Sequence, residues 1–285
     1  MLFRSHGVYF AMGGTGALTK ALGDLMSRHG VKLRLNTTVS SIKIGEGVAK
    51  GVVLEDGTEI EADVVVSNAD AAHLHQNMIK SVERSWMSGV KLKAAHYSMG
   101  LYVLYFGTKK KYKDVAHHTI WMGKRYRELL EDIFHKKILA EDFSLYVHRP
   151  TATDPSFAPE GCDSFYVLCP VPNMQSGIDW SVEEPRLRAR IIQALDETIL
   201  PGLKESITAV FAMTPADFKT HYQSLHGAGF SIAPIFRQSA WFRFHNQAEG
   251  IKHLYLVGAG THPGAGLTGV LCSAKVIDAL IPQAQ

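Results

Sequence analysis

A glycine-rich stretch near the C-terminus, from Leu254 to Lys275, has the spacing of a ligand-binding turn. Its sequence is LYLVGAGTHPGAGLTGVLCSAK, in which an apolar run that predicts a strand is followed by a turn and by a second run that predicts a helix. The N-terminus of a helix presents unpaired N–H groups and the positive end of the helix dipole, so it favours an anionic or electron-rich ligand atom. The turn and the helix start contain five glycines, which are Gly258, Gly260, Gly264, Gly266 and Gly269.

The pattern GxGxxG begins at Gly264, but its surroundings argue against a dinucleotide fingerprint. That fingerprint needs a complete βαβ unit and an acidic residue about 20 positions later, and the sequence ends before such a position. The earlier pair, Gly258 and Gly260, directly follows the predicted strand but has Pro263 at the third glycine position. The stretch is therefore not the pyrophosphate site of a complete Rossmann unit.

Two interpretations of the glycine turn stay open on the residues alone. The predicted helix begins at Thr268 or Gly269 and runs to Leu280, before Pro282. Its first N–H groups would suit the negatively charged N1 and C2=O region of a reduced flavin. The alternative is that the glycines only allow the helix to pack tightly on the strand.

The composition describes a chain that can bury a sizeable core in one large or two intertwined domains. Of the 285 residues, 46% are hydrophobic and 20% are charged, which is typical of a globular protein. The net charge of +3, without a basic stripe, argues against a nucleic-acid partner. The three cysteines form neither a disulfide framework nor a CxxC motif, so we expect a reducing, cytoplasmic compartment. Every apolar run is far shorter than the roughly 18 to 20 residues of a spanning helix.

The predicted elements indicate an α/β fold, with mixed α+β character, into which a second domain is inserted. Residues 13–30 predict a helix capped by Thr15, and the segment VKLRLNTTVSSIKI that follows alternates like a strand. The turn EDGTE predicts a hairpin, and Val64–Val66 predict a short buried strand. From residue 71 onward, aromatic strand-like runs alternate with amphipathic helical runs. The predicted division is residues 1–70 and 230–285 in one domain and residues 71–229 in the other.

The clusters of histidine and lysine in the sequence are explained most simply as structural or solvent-exposed residues. The pairs in His73–His75 and His117–His118 lack an HExxH motif and a matched third ligand, so we predict no metal and interpret them as structural or surface histidines. Lys109–Lys113 could contact anionic lipid headgroups, although solvated loop charge is the simpler interpretation. The sequence does not identify the catalytic residues, and the absence of a GxSxG motif argues against a serine-histidine-acid arrangement.

Three stretches of the sequence carry a family resemblance. They are YLVGAGTHPGAGLTGVLCSAK at the C-terminus, FRQSAWFRFHNQAEGIKHL before it and GGTGALTKALGDLMSRHGVKLRLNTTVSSI near the start. Together they resemble the bacterial-type phytoene desaturases, which are carotenoid desaturases of the FAD-dependent amine oxidase-like superfamily. The resemblance implies a partial FAD-binding Rossmann-like domain, an inserted substrate domain and FAD as the cofactor. It also implies hydride transfer from a polyisoprenoid hydrocarbon to flavin N5, with loss of a proton and formation of a conjugated double bond.

The same resemblance implies residues for the cofactor and the substrate. The segment from residue 260 to 270 would pass under the pyrophosphate, ribityl chain and isoalloxazine, and residue 39 would lie by the adenine. The implied cofactor-binding residues are Val39, Asn68, Ala69, Gly258, Gly260, Gly264, Gly266, Leu267, Thr268, Gly269 and Val270, and the implied substrate-channel residues are Trp241, Phe242 and Arg243. The implied partners are a phytoene-like hydrophobic polyene, membrane lipid contacted peripherally by a cytoplasmic enzyme, and a quinone or oxygen as electron acceptor.

The sequence departs from the family pattern at three places. No GxGxxG follows a strand near the start, where the family has the βαβ unit that grips the FAD pyrophosphate. Leu267-Thr268 stands where Ile-Pro is common, and Phe244 stands where Pro is common in WFRPHN. We therefore expect a C-terminal fragment of a longer desaturase, with FAD binding by this chain alone as an open question.

Two alternatives remain beside desaturation. A carotene isomerase or saturase of the same superfamily would keep the flavin site but differ in the net redox change. A non-catalytic isoprenoid-binding protein would keep the apolar tunnel without flavin.

Overall fold

The computed structural model describes residue 7, residues 9–80 and residues 82–282. The strands within these ranges are β1 Val39–Gly45, β2 Val48–Leu54, β3 Glu59–Glu61, β4 Val65–Ser67, β5 Gly100–Thr108, β6 His118–Trp121, β7 Leu145–His148, β8 Asp163–Val171, β9 Ile207–Met213 and β10 Leu254–Leu256. The helices are α1 Gly14–Arg28, α2 Ala71–His73, α3 Trp86–Ala94, α4 Tyr126–Glu131, α5 Trp180–Glu197, α6 Leu203–Ser206, α7 Pro215–His221 and α8 Leu267–Asp278. One π turn follows α2 and another follows α4, at Leu74–Met78 and Asp132–Lys136. Single 3₁₀ turns lie at Pro150–Ala152, Pro155–Phe157, Met174–Ser176, Leu225–Gly227, Phe236–Gln238 and Ala240–Phe242.

Two small sheets form the part of the fold that carries the glycine turn. One is the antiparallel sheet β1-β2-β3, in which the predicted EDGTE hairpin closes with a bond from the Leu54 N–H to the Thr58 carbonyl at 2.9 Å. The other is a parallel pair, β10 beside β4, in register from Leu254 opposite Val65 to Leu256 opposite Ser67. This parallel pair joins segments that are nearly 190 positions apart, so an early strand and a late strand of the sequence belong to one unit.

A five-stranded antiparallel sheet, in the order β6-β7-β8-β5-β9, forms the larger unit. Residues along β8 alternate between buried and half-buried, as expected for a strand with one face on a core. Helix α5 covers the buried face with Leu187, Ile191 and Leu195. The Asp179 carboxylate caps this helix by accepting from the Ser181 N–H at 3.0 Å, and the helix ends before Pro201 as predicted.

The buried hydrophobic residues form two separate large cores. One core lies between the five-stranded sheet and α5. The other consists of residues from the two small sheets and from segments that follow β4 in the sequence. Residues 71–79 belong to the second core, although the predicted boundary at 70/71 assigns them to the inserted domain. The two cores support two units, while the exact boundaries at 70/71 and 229/230 stay predictions.

The structure corrects three local expectations from the sequence. Helix α1 is capped by Gly13 and not by Thr15, because Gly13 adopts a left-handed φ of 79° and its N–H donates to the Asp154 carboxylate at 2.7 Å. Residues 31–35 alternate in polarity but form no strand, since no strand among the described residues pairs with them. Helix α8 begins at Leu267, earlier than expected, and ends at Asp278. No helix in the described part of the chain is long and apolar enough to cross a membrane.

Candidate functional site

The glycine turn lies at the carboxyl end of the parallel strand pair. Strand β10 ends at Leu256, and the Val257 N–H continues the ladder by donating to the Ser67 carbonyl at 2.9 Å. The Gly258 N–H then donates to the buried Ser273 hydroxyl at 2.9 Å, which ties the turn to α8. In open α/β sheets, ligands bind in the crevice outside the carboxyl ends of the strands.

Three of the five glycines are closely packed within the protein, and Gly269 is packed against backbone. A Cβ atom on Gly258 would lie 2.4 Å from Asn68 Nδ2, and one on Gly260 would lie 2.8 Å from the Ser231 hydroxyl oxygen. A Cβ atom on Gly269 would lie 2.5 Å from a backbone carbonyl oxygen, that of Gly264. These distances are shorter than real Cβ contacts, so the three glycines allow tight packing of the turn.

The other two glycines, Gly264 and Gly266, fit the interpretation in which the turn faces a ligand. Both have positive φ angles, 136° and 93°, and a Cβ atom on Gly266 would meet nothing within 4 Å. Gly266 caps α8 without a side chain, and the first bond of this helix runs from the Val270 N–H to the Gly266 carbonyl at 2.9 Å. The N–H groups of residues 267–269 are therefore those that a helix leaves for an outside acceptor.

A cavity of about 750 Å³ opens in front of this turn. One wall consists of the turn itself, from Pro263 to Gly266, together with Arg243. The rest of the lining is mostly apolar and includes Leu129, Leu130, Ile133, Phe134, Pro170 and Phe230. The glycine turn and Arg243 thus line one part of the cavity, and mainly apolar side chains line the rest.

Arg243 is the charged residue of this lining, and it is only 2% exposed. Its guanidinium donates to the carbonyls of Gln238 at 3.1 Å, Ile232 at 3.1 Å and Ala259 at 2.6 Å. Burial lowers the pKa of Arg243, but a guanidinium stays charged in proteins. Among the described residues Nε has no hydrogen-bond partner, and no carboxylate forms an ion pair with the group. A buried, unpaired N–H beside Gly264 suits an electron-rich ligand such as a flavin ring.

The neighbouring residues Trp241 and Phe242 lie elsewhere. Trp241 packs its ring 4.8 Å from that of His245, and Phe242 lines a separate depression with His96. Both side chains are exposed and neither lines the cavity at the glycine turn. The structure brings Arg243 to the cavity, and the assignment of the other two to a substrate channel stays a prediction.

A smaller groove of about 370 Å³ is lined by three of the predicted cofactor residues. They are Val39 in β1, and Asn68 and Ala69, which directly follow β4. Asn68 Nδ2 donates to the Val257 carbonyl at 3.3 Å, so this groove adjoins the start of the glycine turn. The structure therefore places these three residues at the carboxyl edge of the same parallel pair.

Asp70 is a residue of this region that the sequence analysis missed. Its carboxylate accepts from the Ser231 hydroxyl at 2.5 Å and from the Leu225 N–H at 2.8 Å, and it also caps α2. Ser231 in turn lies against Gly260. In the sequence, Asp70 stands directly after the predicted buried strand in VVVSNAD, which could have marked it as a site residue. Its hydrogen-bond partners Leu225 and Ser231 lie 155 and 161 positions later.

A glycine turn and a helix N-terminus at the carboxyl end of parallel strands are the framework of a nucleotide-cofactor groove. Residues 2–277 match the family described as flavin containing amine oxidoreductase, so the chain belongs to that family. It is 48% identical to a neurosporene-forming phytoene desaturase of Rhodobacter capsulatus, over 99% of this chain and 55% of that protein. It is 44% identical to a lycopene-forming phytoene desaturase of Pantoea ananas, over 98% of this chain and 57% of that protein. The chain spans about half the length of the curated relatives it matches.

Solved structures show the same fold. An oxidoreductase from Methanosarcina mazei superposes with a TM-score of 0.62 at 19% identity, over 94% of this chain and 55% of that one. A cyclohexylamine oxidase from Brevibacterium oxydans superposes with a TM-score of 0.52 at 12% identity, over 94% of this chain and 53% of that one. The predicted family and the α/β FAD-binding fold are confirmed, and FAD is confirmed as the cofactor at the level of the family.

Proposed function

We propose that this chain supplies the flavin-facing turn and the substrate cavity of an FAD-dependent carotenoid desaturase that acts on a phytoene-like polyene. The observation that carries the proposal is the cavity of about 750 Å³, one part of which is lined by the glycine turn and Arg243 and the rest mainly by apolar side chains. An apolar lining excludes water and suits a hydrocarbon, whereas the part at the glycine turn suits a cofactor ring. The phytoene desaturases among the relatives support this choice of substrate class.

The residues that would hold FAD lie along one edge of the strand pair. Val39, Asn68 and Ala69 would contact the adenine end, and the segment from Gly260 to Val270 would follow the rest of the cofactor. The unpaired N–H groups at the start of α8 and Arg243 Nε would stabilise negative charge on the ring. FAD held by these residues would supply a hydride acceptor at N5, so that loss of a hydride from an allylic carbon of the polyene and of a proton from the adjacent carbon would leave a new double bond between the two carbons.

Other parts of the proposal concern the domains and the partners. We infer that residues 71–229 form the substrate domain and that residues 1–70 and 230–285 form the cofactor domain, with residues from 71–79 packing into the core of the cofactor domain. Peripheral contact with membrane lipid is supported by four exposed lysines in the segment from Lys109 to Lys113. A quinone or oxygen would remove the two electrons from the reduced flavin, and a cytoplasmic location suits this arrangement.

The first experiment separates flavin binding from desaturation. The purified chain is soaked with FAD and desalted, and its visible absorption is recorded, both alone and with the N-terminal part of the Rhodobacter capsulatus relative that this chain does not cover. Both samples are then incubated with phytoene in liposomes, and products are analysed for absorbance at longer wavelength. New long-wavelength products support a desaturase, whereas flavin retention without them favours an isomerase or saturase. A colourless protein that still binds phytoene would favour an isoprenoid-binding protein.

A substitution in the apolar lining tests the role of the cavity. Leu130 lines the cavity and is 37% exposed, so Leu130→Asp should leave the fold intact while placing a charge in the path of the hydrocarbon. Val182 on α5 is similarly exposed at 44% but lies outside the cavity, which makes Val182→Asp the matched control. We expect turnover to fall at least about tenfold in the first variant only, because one unfavourable contact of about 1.4 kcal/mol is worth that factor. Equal turnover in both variants would contradict the assignment of the cavity.

A further inference from the structure

Three histidines of the larger unit come together outside the flavin-facing cavity. His118 begins β6, His148 ends β7, and the antiparallel register places them directly opposite each other. His117 precedes β6, and one ring nitrogen from each of the three lies within 4.8 Å of the others. Motif spacing did not reveal this third histidine, because His148 lies 30 positions after His118.

The spacing of two of these rings already suits a metal ion. Nδ1 of His118 and Nδ1 of His148 are 3.5 Å apart. Two nitrogens bound at about 2.1 Å to a tetrahedral ion are separated by about 3.4 Å. The Tyr146 hydroxyl lies on the same face of the sheet, 2.6 Å from the first nitrogen and 3.3 Å from the second. An oxygen donor is therefore within reach as a fourth ligand.

The ring of His117 has one nitrogen in a hydrogen bond and the other without a partner among the described residues. Nδ1 of His117 lies 2.5 Å from the Thr153 hydroxyl oxygen, while Nε2 is buried and has no partner in the part of the chain that the structure describes. Histidines that bind metals usually donate their other ring N–H to an orienting group. Phe10 also packs edge-on against the His117 ring at 4.6 Å, which restricts its rotation.

A cationic side chain that follows the cluster in the sequence is itself paired. Arg149 forms an ion pair with the Asp163 carboxylate at 3.3 Å and donates to the Tyr112 carbonyl at 2.5 Å. A buried carboxylate therefore balances the positive charge of Arg149.

We propose that His117, His118 and His148 form a binding site for one divalent transition-metal ion, with zinc as the preferred ion. The fourth position would be taken by the Tyr146 hydroxyl or by water, as in sites with three protein ligands. Imidazole ligands suit zinc, copper and nickel, while magnesium and calcium prefer oxygen. None of the three histidines lines the cavity at the glycine turn, so the ion would fasten the β6–β7 edge and take no part in hydride transfer.

Metal titration of the whole chain tests this site directly and requires no flavin. The purified protein is stripped with a chelator, then titrated with Zn²⁺ by calorimetry and with Co²⁺ by visible absorption. We expect one ion per chain, the strong visible bands of tetrahedral cobalt, and a higher melting temperature with zinc. His118→Ala, at an exposed position, should weaken zinc binding at least about 100-fold, and Thr153→Val should weaken it about tenfold through loss of the orienting contact.

His135→Ala is the matched control, because His135 is exposed and lies outside the cluster. This variant should bind zinc as the unaltered chain does. Circular dichroism without metal checks that each variant is folded, and His117→Gln replaces His118→Ala if the latter is not. Failure of the unaltered chain to bind one zinc ion, or equal binding by His118→Ala, would overturn the proposal. Neither result would bear on flavin binding or desaturation.

Discussion

Replacement of Arg243 by methionine is expected to destabilise the fold strongly. The guanidinium is buried and donates to three backbone carbonyls between 2.6 and 3.1 Å, with a longer contact to the Phe230 carbonyl at 3.5 Å. These carbonyls belong to the segments around residues 230–238 and to the glycine turn at Ala259, so Arg243 joins the two. Methionine fills much of the same volume but offers no donor, and it leaves the carbonyls unsatisfied.

The size of the stability loss in Arg243→Met follows from the balance between lost hydrogen bonds and desolvation. A hydrogen bond to a charged group contributes about 1.5–3 kcal/mol, and a buried polar group left without a partner costs about 1–3 kcal/mol. The three short bonds are not additive, and removal of the buried charge offsets part of the loss. We expect Arg243→Met to lower the free energy of unfolding by about 3–5 kcal/mol, which corresponds to roughly two such hydrogen bonds. Arg243→Lys keeps the charge but lacks the planar fork, so its loss should be intermediate.

Urea unfolding followed by circular dichroism and tryptophan fluorescence measures these differences. Arg237→Met is the matched control, since Arg237 is exposed and only six positions away, and it should change stability by less than about 0.5 kcal/mol. If Arg243→Met were within about 0.5 kcal/mol of this control, the carbonyl contacts would contribute little and the reasoning would be wrong. Flavin retention by Arg243→Lys, if that variant is folded, separately tests whether flavin binding needs the guanidinium group.

Two further predictions concern the glycine turn and acid stability. Gly269→Ala should destabilise the protein by about 1–3 kcal/mol in urea unfolding, because its Cβ would lie 2.5 Å from the Gly264 carbonyl oxygen. Gly266→Ala should cost about 1–3 kcal/mol from its backbone alone, because its φ of 93° and ψ of 148° are angles that only glycine adopts readily. A loss below about 0.5 kcal/mol for Gly269→Ala would contradict the packing described for the turn. Burial lowers the pKa of His75 to about 4, so the unfolded chain binds this proton more readily. Stability should therefore be complete above about pH 6.5 and fall by up to about 1.4 kcal/mol per pH unit down to about pH 4, and His75→Gln should remove that part of the slope.

Local sequence signals predicted most of the secondary structure. The hairpin of β2 and β3, the aromatic strands β5 and β8, and the capped helix α5 all have the periodicity and turn residues that the structure confirms. Each depends on contacts within a few residues or on one buried face, which the sequence pattern reports directly. The segment at residues 31–35 shows the limit of that signal, because alternation without a partner strand does not make a strand.

Long-range pairing could not be predicted from local patterns. The parallel pairing of β4 with β10 and the contacts of Asp70 with Leu225 and Ser231 join residues more than 150 positions apart. No periodicity encodes which distant segment a strand end will meet. For the same reason His148 was not grouped with His117 and His118, although the register of β6 and β7 places them side by side.

The two interpretations of the glycine turn apply to different glycines. A side chain at Gly258 or Gly269 would collide with Asn68 or with the carbonyl of Gly264, so both positions are closely packed. A Cβ atom on Gly266 would meet nothing within 4 Å, and Gly266 stands at the start of α8 beside the cavity. Close packing in one part of the turn therefore leaves another part open to a ligand. In the proposed function, this packing would hold the helix N–H groups in place before flavin binds, and a site that is fixed in advance stabilises charge without reorganisation.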